Sequence, residues 1–376
     1  FMKKIQISFI FDSGNIKVNS IEDYSNIRLE IRPDNNSEYF QWFHFRVTGA
    51  KGVPLKIVLV NASKAAFPDG WLNYNACVSV DRKTWLRVAE TSYRGGELII
   101  EHTPSSNCIY FSYFEPYPLE RHNDFLAEAA THNNVKLYSL GESAQGRSMD
   151  CLSVGNGKKN IWIIARQHPG ETMAEWWMEG FITRLLDRND KVSNELLQKS
   201  KFFMVPNMCP DGSFIGNLRT NWCGANLNRE WNNASLNFSP EVYWTIKAMD
   251  NNKPSLCMDV HGDESLPYNF IAGSEGIPGY TPKQAKALEA FLSSYKTASP
   301  DFQTEHGYPK DQPNSANLGM CTNYTAHKYK CLSITLEMPF KDNANFPNLD
   351  TGWNGDRSAD LGASAIDAIF GIIDFI

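Results

Sequence analysis

The sequence predicts an α/β protein with a mixed central sheet and helices on both faces, preceded by an N-terminal all-β sandwich domain. Two features of the patterning point there. Up to about residue 115, short β-prone runs recur between clusters of turn formers with no helical period, as sandwich sequences do. Beyond Glu115-Pro-Tyr-Pro118, compact apolar runs alternate with segments whose apolar residues recur every three or four positions. That exchange of periods marks strands and helices around a sheet covered on both sides. The change of pattern divides the 376 residues into a sandwich over 1–117 and an α/β domain over 118–376.

In the first part, Ile5, Ile7 and Phe9 alternate with polar neighbours as an opening strand would. Further strands are expected at 27–31, 40–47, 55–60, 77–80, 85–88, 98–100 and 108–113. Between them lie Pro33-Asp-Asn-Asn36, Thr48-Gly-Ala-Lys-Gly52, Asp81-Arg-Lys83 and Gly95-Gly96, residues that supply turn conformations. In the second part, 124–132 reads as helix, followed by strands at 136–139, 149–154 and 162–165. Residues 172–187 form a helix because Met173, Trp176, Trp177, Gly180, Phe181 and Leu185 share one face. Apolar strands are expected at 202–205, 256–260 and 332–336, and another helix at 282–295. Ligands of open α/β sheets gather at the carboxyl ends of strands, which is where His168, His261 and Glu337 fall.

Composition narrows the function. With 42% hydrophobic residues the chain can bury a large core, and its net charge of −6 and lack of a basic stripe argue against a nucleic-acid partner. No apolar stretch approaches the roughly 20 residues that span a bilayer, so no membrane partner is expected. Residues 1–12 resemble a secretion signal only superficially: the apolar part is short, Gln6 interrupts it, and no small-residue cleavage site follows. Phe1 ahead of Met2 reads as an added residue. Cys77, Cys108, Cys151, Cys209, Cys223, Cys257, Cys321 and Cys331 are scattered without a C-x-x-C pair. They read as reduced, packed thiols, and a cytoplasmic location is expected.

The chemistry concentrates at strand ends. His168-Pro-Gly-Glu171 follows the apolar run Ile161-Trp-Ile-Ile-Ala165 and precedes a helix. Pro169 disfavours the helical region for His168, and Gly170 permits a turn that returns Glu171 toward the same point. His261-Gly-Asp-Glu264 follows Leu256-Cys-Met-Asp-Val260 and is a second H-x-x-E, so spacing alone does not say which carboxylate joins the two histidines. Catalytic zinc often takes two His and one Glu and keeps an open position. Only one carboxylate then ligates, and Glu264 is read as a loop carboxylate with a local hydrogen bond. An H-x-x-E taken alone is more often a solvated turn; placement after a buried strand favours a site.

Glu337 ends the run Leu332-Ser-Ile-Thr-Leu336. A carboxylate there is either paired, with Lys341 the nearest candidate, or functional. Next to an activated water it would serve as general base and then as proton donor to a leaving amine. Between Val205 and Trp231 lie Arg219 and the pair Asn228-Arg229. An Arg beside an Asn can grip a carboxylate, and a separate Arg can sit where negative charge develops on a carbonyl oxygen. By composition alone, either Arg is more often a surface or ion-pair residue.

In this order, over about 170 residues, these groups resemble the zinc metallocarboxypeptidases of the carboxypeptidase A superfamily. Trp42-Phe-His-Phe-Arg46, Pro-Asp211-Gly212, Gly216-Asn-Leu-Arg219 and Asn-Leu-Asn228-Arg229 look typical of the cytosolic carboxypeptidase-like subfamily, whose members carry an N-terminal β-sandwich. The resemblance implies one Zn2+ per chain on His168, Glu171 and His261. It implies that Asn228 and Arg229 hold the terminal carboxylate of a peptide or protein substrate, that Arg219 polarises the scissile carbonyl, and that Glu337 activates water. Two departures stand out. The family usually has Asp two residues before the Asn-Arg pair, orienting the first histidine, whereas Asn226 stands here; an amide accepts the imidazole N–H but strengthens the ligand less. The substrate-capping tyrosine of digestive relatives has two candidates, Tyr308 and Tyr324. The expected activity is hydrolysis of the C-terminal peptide bond. The alternatives are a zinc amidohydrolase of small N-acyl amino acids, and a non-catalytic module whose sandwich binds a protein. Cys321-Thr-Asn323 is expected to lend polar groups to the pocket for the released residue, whose identity the sequence leaves open.

Overall fold

The computed structural model describes residues 4–376; Phe1, Met2 and Lys3, part of the signal-like start, lie outside them. The N-terminal region contributes β1 (Gln6–Ser8), β2 (Lys17–Ser20), β3 (Ile27–Glu30), β4 (His44–Thr48), β5 (Leu55–Leu59), β6 (Cys77–Ser79), β7 (Leu86–Arg87), β8 (Thr91–Arg94), β9 (Glu97–His102) and β10 (Cys108–Ser112). They form two five-stranded sheets, ordered β1-β4-β10-β6-β7 and β2-β3-β5-β9-β8. Phe45, Val47, Ile109 and Phe111 of the first sheet and Ile27, Leu29, Ile57, Leu59, Leu98 and Ile100 of the second belong to one buried cluster. Alternate residues of each strand thus point inward, as the period of two requires. β2 and β8 were not foreseen. They are the edge strands of the second sheet, and Lys17-Val-Asn-Ser20 and Thr91-Ser-Tyr-Arg94 contain no fully buried residue; only Tyr93 packs partly against the core.

The rest of the chain contributes α1 (Leu119–Ala130), β11 (Lys136–Glu142), β12 (Ser148–Val154), β13 (Lys159–Ala165), α2 (Met173–Leu185), α3 (Lys191–Lys199), β14 (Ser200–Val205), α4 (Pro210–Ile215), α5 (Pro240–Asn251), β15 (Leu256–Asp263), β16 (Phe270–Ala272), α6 (Pro282–Ala298), α7 (Cys321–Tyr329), β17 (Leu332–Pro339) and α8 (Gly355–Phe370). Seven strands make one mixed sheet in the order β11-β12-β14-β13-β15-β17-β16. Its four central strands run parallel, and β11, β12 and β16 are antiparallel to their neighbours. Ile161, Ile163 and Ala165 of β13 face a core shared with α2, α6 and α8. Trp162 and Ile164, one residue out of phase, face a second core shared with Val242 and Met249 of α5 and Cys321 of α7. The strand is buried on both sides, which is why it reads as an unbroken apolar run.

Many contacts join the halves, among them two polar anchors and a stacked pair of rings. Arg87 of β7 donates to the carbonyls of Phe340, Thr351 and Trp353. The Glu115 carboxylate accepts the Gly355 N–H at the start of α8. Tyr113 stacks on Phe340 with ring centres 4.6 Å apart.

α3, α4, α5, α7, α8 and the short strand β16 were missed by the sequence reading; the buried face of α8 mixes Leu361, Ile366 and Ile369 with small residues. The small residues let α8 lie directly against α2: a Cβ on Gly180 would come within 2.0 Å of the Ala359 carbonyl oxygen, and one on Gly362 within 2.0 Å of the Trp177 carbonyl oxygen. Overpacking of this kind typically costs about 1–3 kcal/mol. Gly180→Ala should therefore lower the denaturant midpoint of unfolding by an amount in that range, whereas Gly146→Ala, at an exposed turn with open space around it, should act only through its backbone.

Candidate metal centre and substrate cleft

The chain runs from β13 to β14 on one side and returns to β15 on the other, so the crevice beyond the carboxyl ends of β13 and β15 is a topological switch point, the usual ligand position in such sheets. His168 stands three residues past β13, and His261 lies on β15. Both β15 and β17 continue beyond the apolar runs, to Asp263 and Pro339, so His261 and Glu337 lie within paired strand rather than after it. They are register partners on adjacent parallel strands, as are Asp259 and Thr335. The period of two therefore puts Asp259, His261, Thr335 and Glu337 on one face.

The His168–Glu171 turn is shaped differently from expectation. Gly170 is needed not for a positive φ but for space: its Cβ would lie 3.0 Å from the Leu218 backbone, whose carbonyl accepts the Gly170 N–H. The left-handed residue is Arg166, at φ 59°. Its fully buried guanidinium donates to the Pro169 carbonyl (2.8 Å), the Tyr117 carbonyl (2.7 Å) and Glu175 of α2 (2.7 Å). A conformation that costs an ordinary side chain about 1–2 kcal/mol is thus held by an ionic strut under the turn.

His168, Glu171 and His261 converge, with 4%, 2% and 1% of their surfaces exposed. One donor atom from each lies within 4.8 Å of the others. His168 Nδ1 is 2.7 Å from Glu171 Oε1, His261 Nδ1 is 2.8 Å from Oε2, and the two Nδ1 atoms are 3.2 Å apart. The far nitrogens fix the tautomers. His168 Nε2 is 2.9 Å from Asn226 Oδ1, an oxygen that also accepts the Asn228 N–H, so the imidazole donates there. His261 Nε2 is 2.9 Å from Asp259 Oδ2, which also accepts the Gln167 amide; Gln167 in turn is held by Trp231. Both Nδ1 lone pairs therefore face the Glu171 carboxylate, and a proton or a cation has to sit among them.

The donor set fits zinc. Two nitrogens bound at about 2.0–2.1 Å to one tetrahedral ion stand about 3.3 Å apart, close to the observed separation. Burial and, within the site, the opposing charges pull the groups apart. Burial lowers His168 to about 4, against the pull of Glu171. Glu171 resists its own burial and stays well below the usual carboxylate range because both imidazoles face it. His261 is held high by Asp259 and Glu171 in spite of burial.

Glu264, the carboxylate of the second H-x-x-E, is not part of this group. It follows β15 in the loop, as read from the sequence, but is buried, and burial followed by the charge of Glu171 pushes its carboxyl well up. Glu337 is also buried; its Oε2 has no hydrogen-bond partner among the described residues, and burial, then Glu171 and nearby acids, raise its carboxyl against the pull of His261. The expected alternative partner, Lys341, instead donates to the Leu72 carbonyl (2.7 Å).

Arg219 and Arg229 form no ion pairs with the described residues. Burial, and next the like charge of Arg219, lower the Arg229 guanidinium, so the two cations share one region. Asn228 Oδ1 is engaged by the Cys321 N–H and the Asn228 carbonyl by Arg229 Nη1, which leaves the Asn228 amide hydrogens for a ligand. Of the two tyrosines, Tyr308 belongs here: its hydroxyl meets Asp263, and Glu337 is among the charges it feels. Tyr324 packs near Trp231 and meets Lys328. A cavity of about 600 Å3 adjoins Thr335 and Tyr308, with Thr322 and Asn323 on its wall; Cys321 turns into the second core instead. Sequence reasoning missed Asp259, Gln167, Trp231 and Arg166. Asp259 left a signal, as a lone acid two residues before His261 in an apolar strand.

Such a convergence at the mouth of an α/β sheet points to a metal-dependent hydrolase. The chain belongs to the zinc carboxypeptidase family, which matches residues 123–351, and residues 7–114 match the cytosolic carboxypeptidase N-terminal domain. It is accordingly a peptidase by family. A metallo-carboxypeptidase from Burkholderia cenocepacia is similar at 46% identity and a TM-score of 0.97, covering 99% of this chain and 100% of that one. A metallo-carboxypeptidase from Pseudomonas aeruginosa, solved in complex with (2-guanidinoethylmercapto)succinic acid, is 42% identical with a TM-score of 0.96, over 98% and 99% of the two chains. Cytosolic carboxypeptidase 6 of Mus musculus is 29% identical over 72% of this chain and 56% of its own length, so this chain spans little more than half of that relative. No helix among the described residues is long and apolar enough to cross a membrane.

The strut beneath the turn has a titratable end. Glu175 also meets His122 Nδ1 (2.5 Å), and His122 Nε2 faces Asp150 (3.3 Å). Burial opposes the imidazolium, but Glu175 and Asp150 outweigh it and hold the pKa up at about 9. A pKa raised above its unfolded value adds stability that is complete below about 6.5 and is lost as pH rises toward 9. Unfolding midpoints should fall across that window, and in His122→Gln the fall should be shallower. An unchanged slope would show that His122 does not carry the charge.

Proposed function

We propose that this chain is a zinc-dependent carboxypeptidase that hydrolyses the C-terminal peptide bond of peptides or proteins, with one Zn2+ held by His168, Glu171 and His261. The observation that carries the reading is the pair of tautomer-locked Nδ1 lone pairs facing one buried carboxylate, beside a buried glutamate with a free oxygen. Zinc held there would supply a Lewis acid for the carbonyl oxygen and lower the pKa of water. Arg229 and the amide of Asn228 grip the substrate's terminal carboxylate, which fixes the last peptide bond at the centre. Arg219 donates to the carbonyl oxygen as charge develops on it. Glu337 takes the proton from the attacking water at Oε2 and passes it to the departing amine. Tyr308 stands at the edge of the same space and closes over the bound residue, whose side chain enters the cavity lined by Thr322, Asn323 and Thr335. The succinic acid derivative in the Pseudomonas relative, a small dicarboxylate, supports recognition of a carboxylate in this fold. We further propose the division into a β domain over 1–117 and a catalytic domain over 118–376, and a cytoplasmic location in keeping with the names of the relatives.

Glu337→Gln should lower kcat by about 10²–10⁴-fold while metal analysis still finds one zinc per chain; near-normal turnover would remove Glu337 from its role. Glu171→Ala should lose zinc and Glu264→Ala keep it, with the reverse result reassigning the ligand. Asp259→Asn should weaken zinc binding by about 10–100-fold, measured by competition with a chelator.

Substrate class is tested by comparing a peptide with a free C-terminus, the same peptide as its amide, and an N-acyl amino acid. The free peptide should be cleaved and its amide poorly, because the amide offers Arg229 no charge. Preference for the N-acyl amino acid would establish the amidohydrolase alternative instead.

A further inference from the structure

A carboxylate of the N-terminal domain reaches the loop that carries Arg219. Asp34, between β3 and β4, is 4% exposed and accepts four hydrogen bonds from three successive residues of the Arg219 loop. Oδ1 takes the Leu218 N–H (2.7 Å); Oδ2 takes the Arg219 N–H (2.7 Å), the Thr220 N–H (2.9 Å) and the Thr220 hydroxyl (3.2 Å). Consecutive N–H groups aimed at one anion form a nest, and the anion fixes the backbone of every residue in it. Burial raises the Asp34 carboxyl to about 6 against these donors; both oxygens accept only, as those of an ionised carboxylate do.

The side chain at the centre of this nest is also held from the N-terminal domain. The Arg219 guanidinium carbon lies 5.0 Å from the ring centre of Phe67 and 5.8 Å from that of Tyr39, within cation–π range. Among the described residues it forms no ion pair, and every hydrogen bond of Arg219 outside the regular elements is through its backbone to Asp34. The backbone and the side chain of Arg219 thus both take their direction from residues of the other domain.

We infer that Asp34 is a positioning residue for peptide hydrolysis: through the nest at Leu218, Arg219 and Thr220, with Phe67 and Tyr39 flanking the guanidinium, the N-terminal domain aims Arg219 at the carbonyl oxygen and so completes the active site. This rests on the reading of Arg219 given above. A contact that merely glued the domains together would affect stability and leave the chemistry intact.

The test is a double-mutant cycle on the full-length, zinc-loaded chain, with zinc content and melting followed for each variant. Asp34→Asn keeps the shape and removes the charge. It should lower kcat by about tenfold while KM stays within about twofold, because the aimed contact strengthens only as charge develops. In an Arg219→Ala background the same change should cost less than about twofold. Phe67→Leu should act in the same direction, and also only while Arg219 is present. Wild-type kcat in Asp34→Asn, or an equal loss in both backgrounds, overturns the inference. If Asp34→Asn does not fold, the Phe67→Leu cycle decides by the same criterion. If Arg219→Ala alone leaves kcat unchanged, the role of Arg219 falls and the inference falls with it, an outcome distinct from a failure of Asp34 alone.

Discussion

Three electron-pair donors are brought together at a place almost closed to water, and the surrounding structure is organised around satisfying them. Neutral imidazoles do not turn their lone pairs toward a carboxylate unless something positive lies between, and burial makes the repulsion stronger than it would be in solvent. Asn226 and Asp259 make that orientation obligatory by accepting the opposite N–H of each ring. Gln167 and Trp231 then hold Asp259. The two outer acceptors are unequal: a carboxylate behind His261 strengthens it as a ligand, and an amide behind His168 does so less.

The sheet supplies the distances. Parallel pairing in register places His261 and Glu337 side by side, and the reversal of strand order opens the crevice into which the β13 turn carries His168 and Glu171. Neither pairing nor crossover is particular to one chemistry. What is particular is the use of strain: an arginine in a left-handed conformation, tied to Glu175, replaces the glycine that such a corner would ordinarily demand.

Much of this was legible in the residues. Buried parallel strands are continuous apolar runs, so β13, β14, β15 and β17 could be located to within a few positions, and with them the strand-end histidines. The choice between the two H-x-x-E carboxylates lay beyond spacing; it depends on which of them folding brings against both imidazoles, and only Glu171 meets His168 and His261. Helix α8 escaped although Leu361, Ile366 and Ile369 lie on its buried face, because the glycine, serine and alanine between them, used for close packing on α2, dilute the apolar spacing. The edge strands β2 and β8 escaped because they are largely exposed and therefore polar, with no apolar alternation to read. Asp34 lies in a stretch dense in turn formers, and nothing local distinguishes an aspartate that shapes its own turn from one that serves a loop nearly two hundred residues away.

The Arg87 anchor has an evolutionary corollary. A single guanidinium satisfies three carbonyls whose directions are set by the path of the chain after β17, so the β7 hairpin and that distant segment cannot drift independently. A chimera that borrowed its first hundred residues from a relative would keep this joint only if the borrowed segment also set a guanidinium against those three carbonyls.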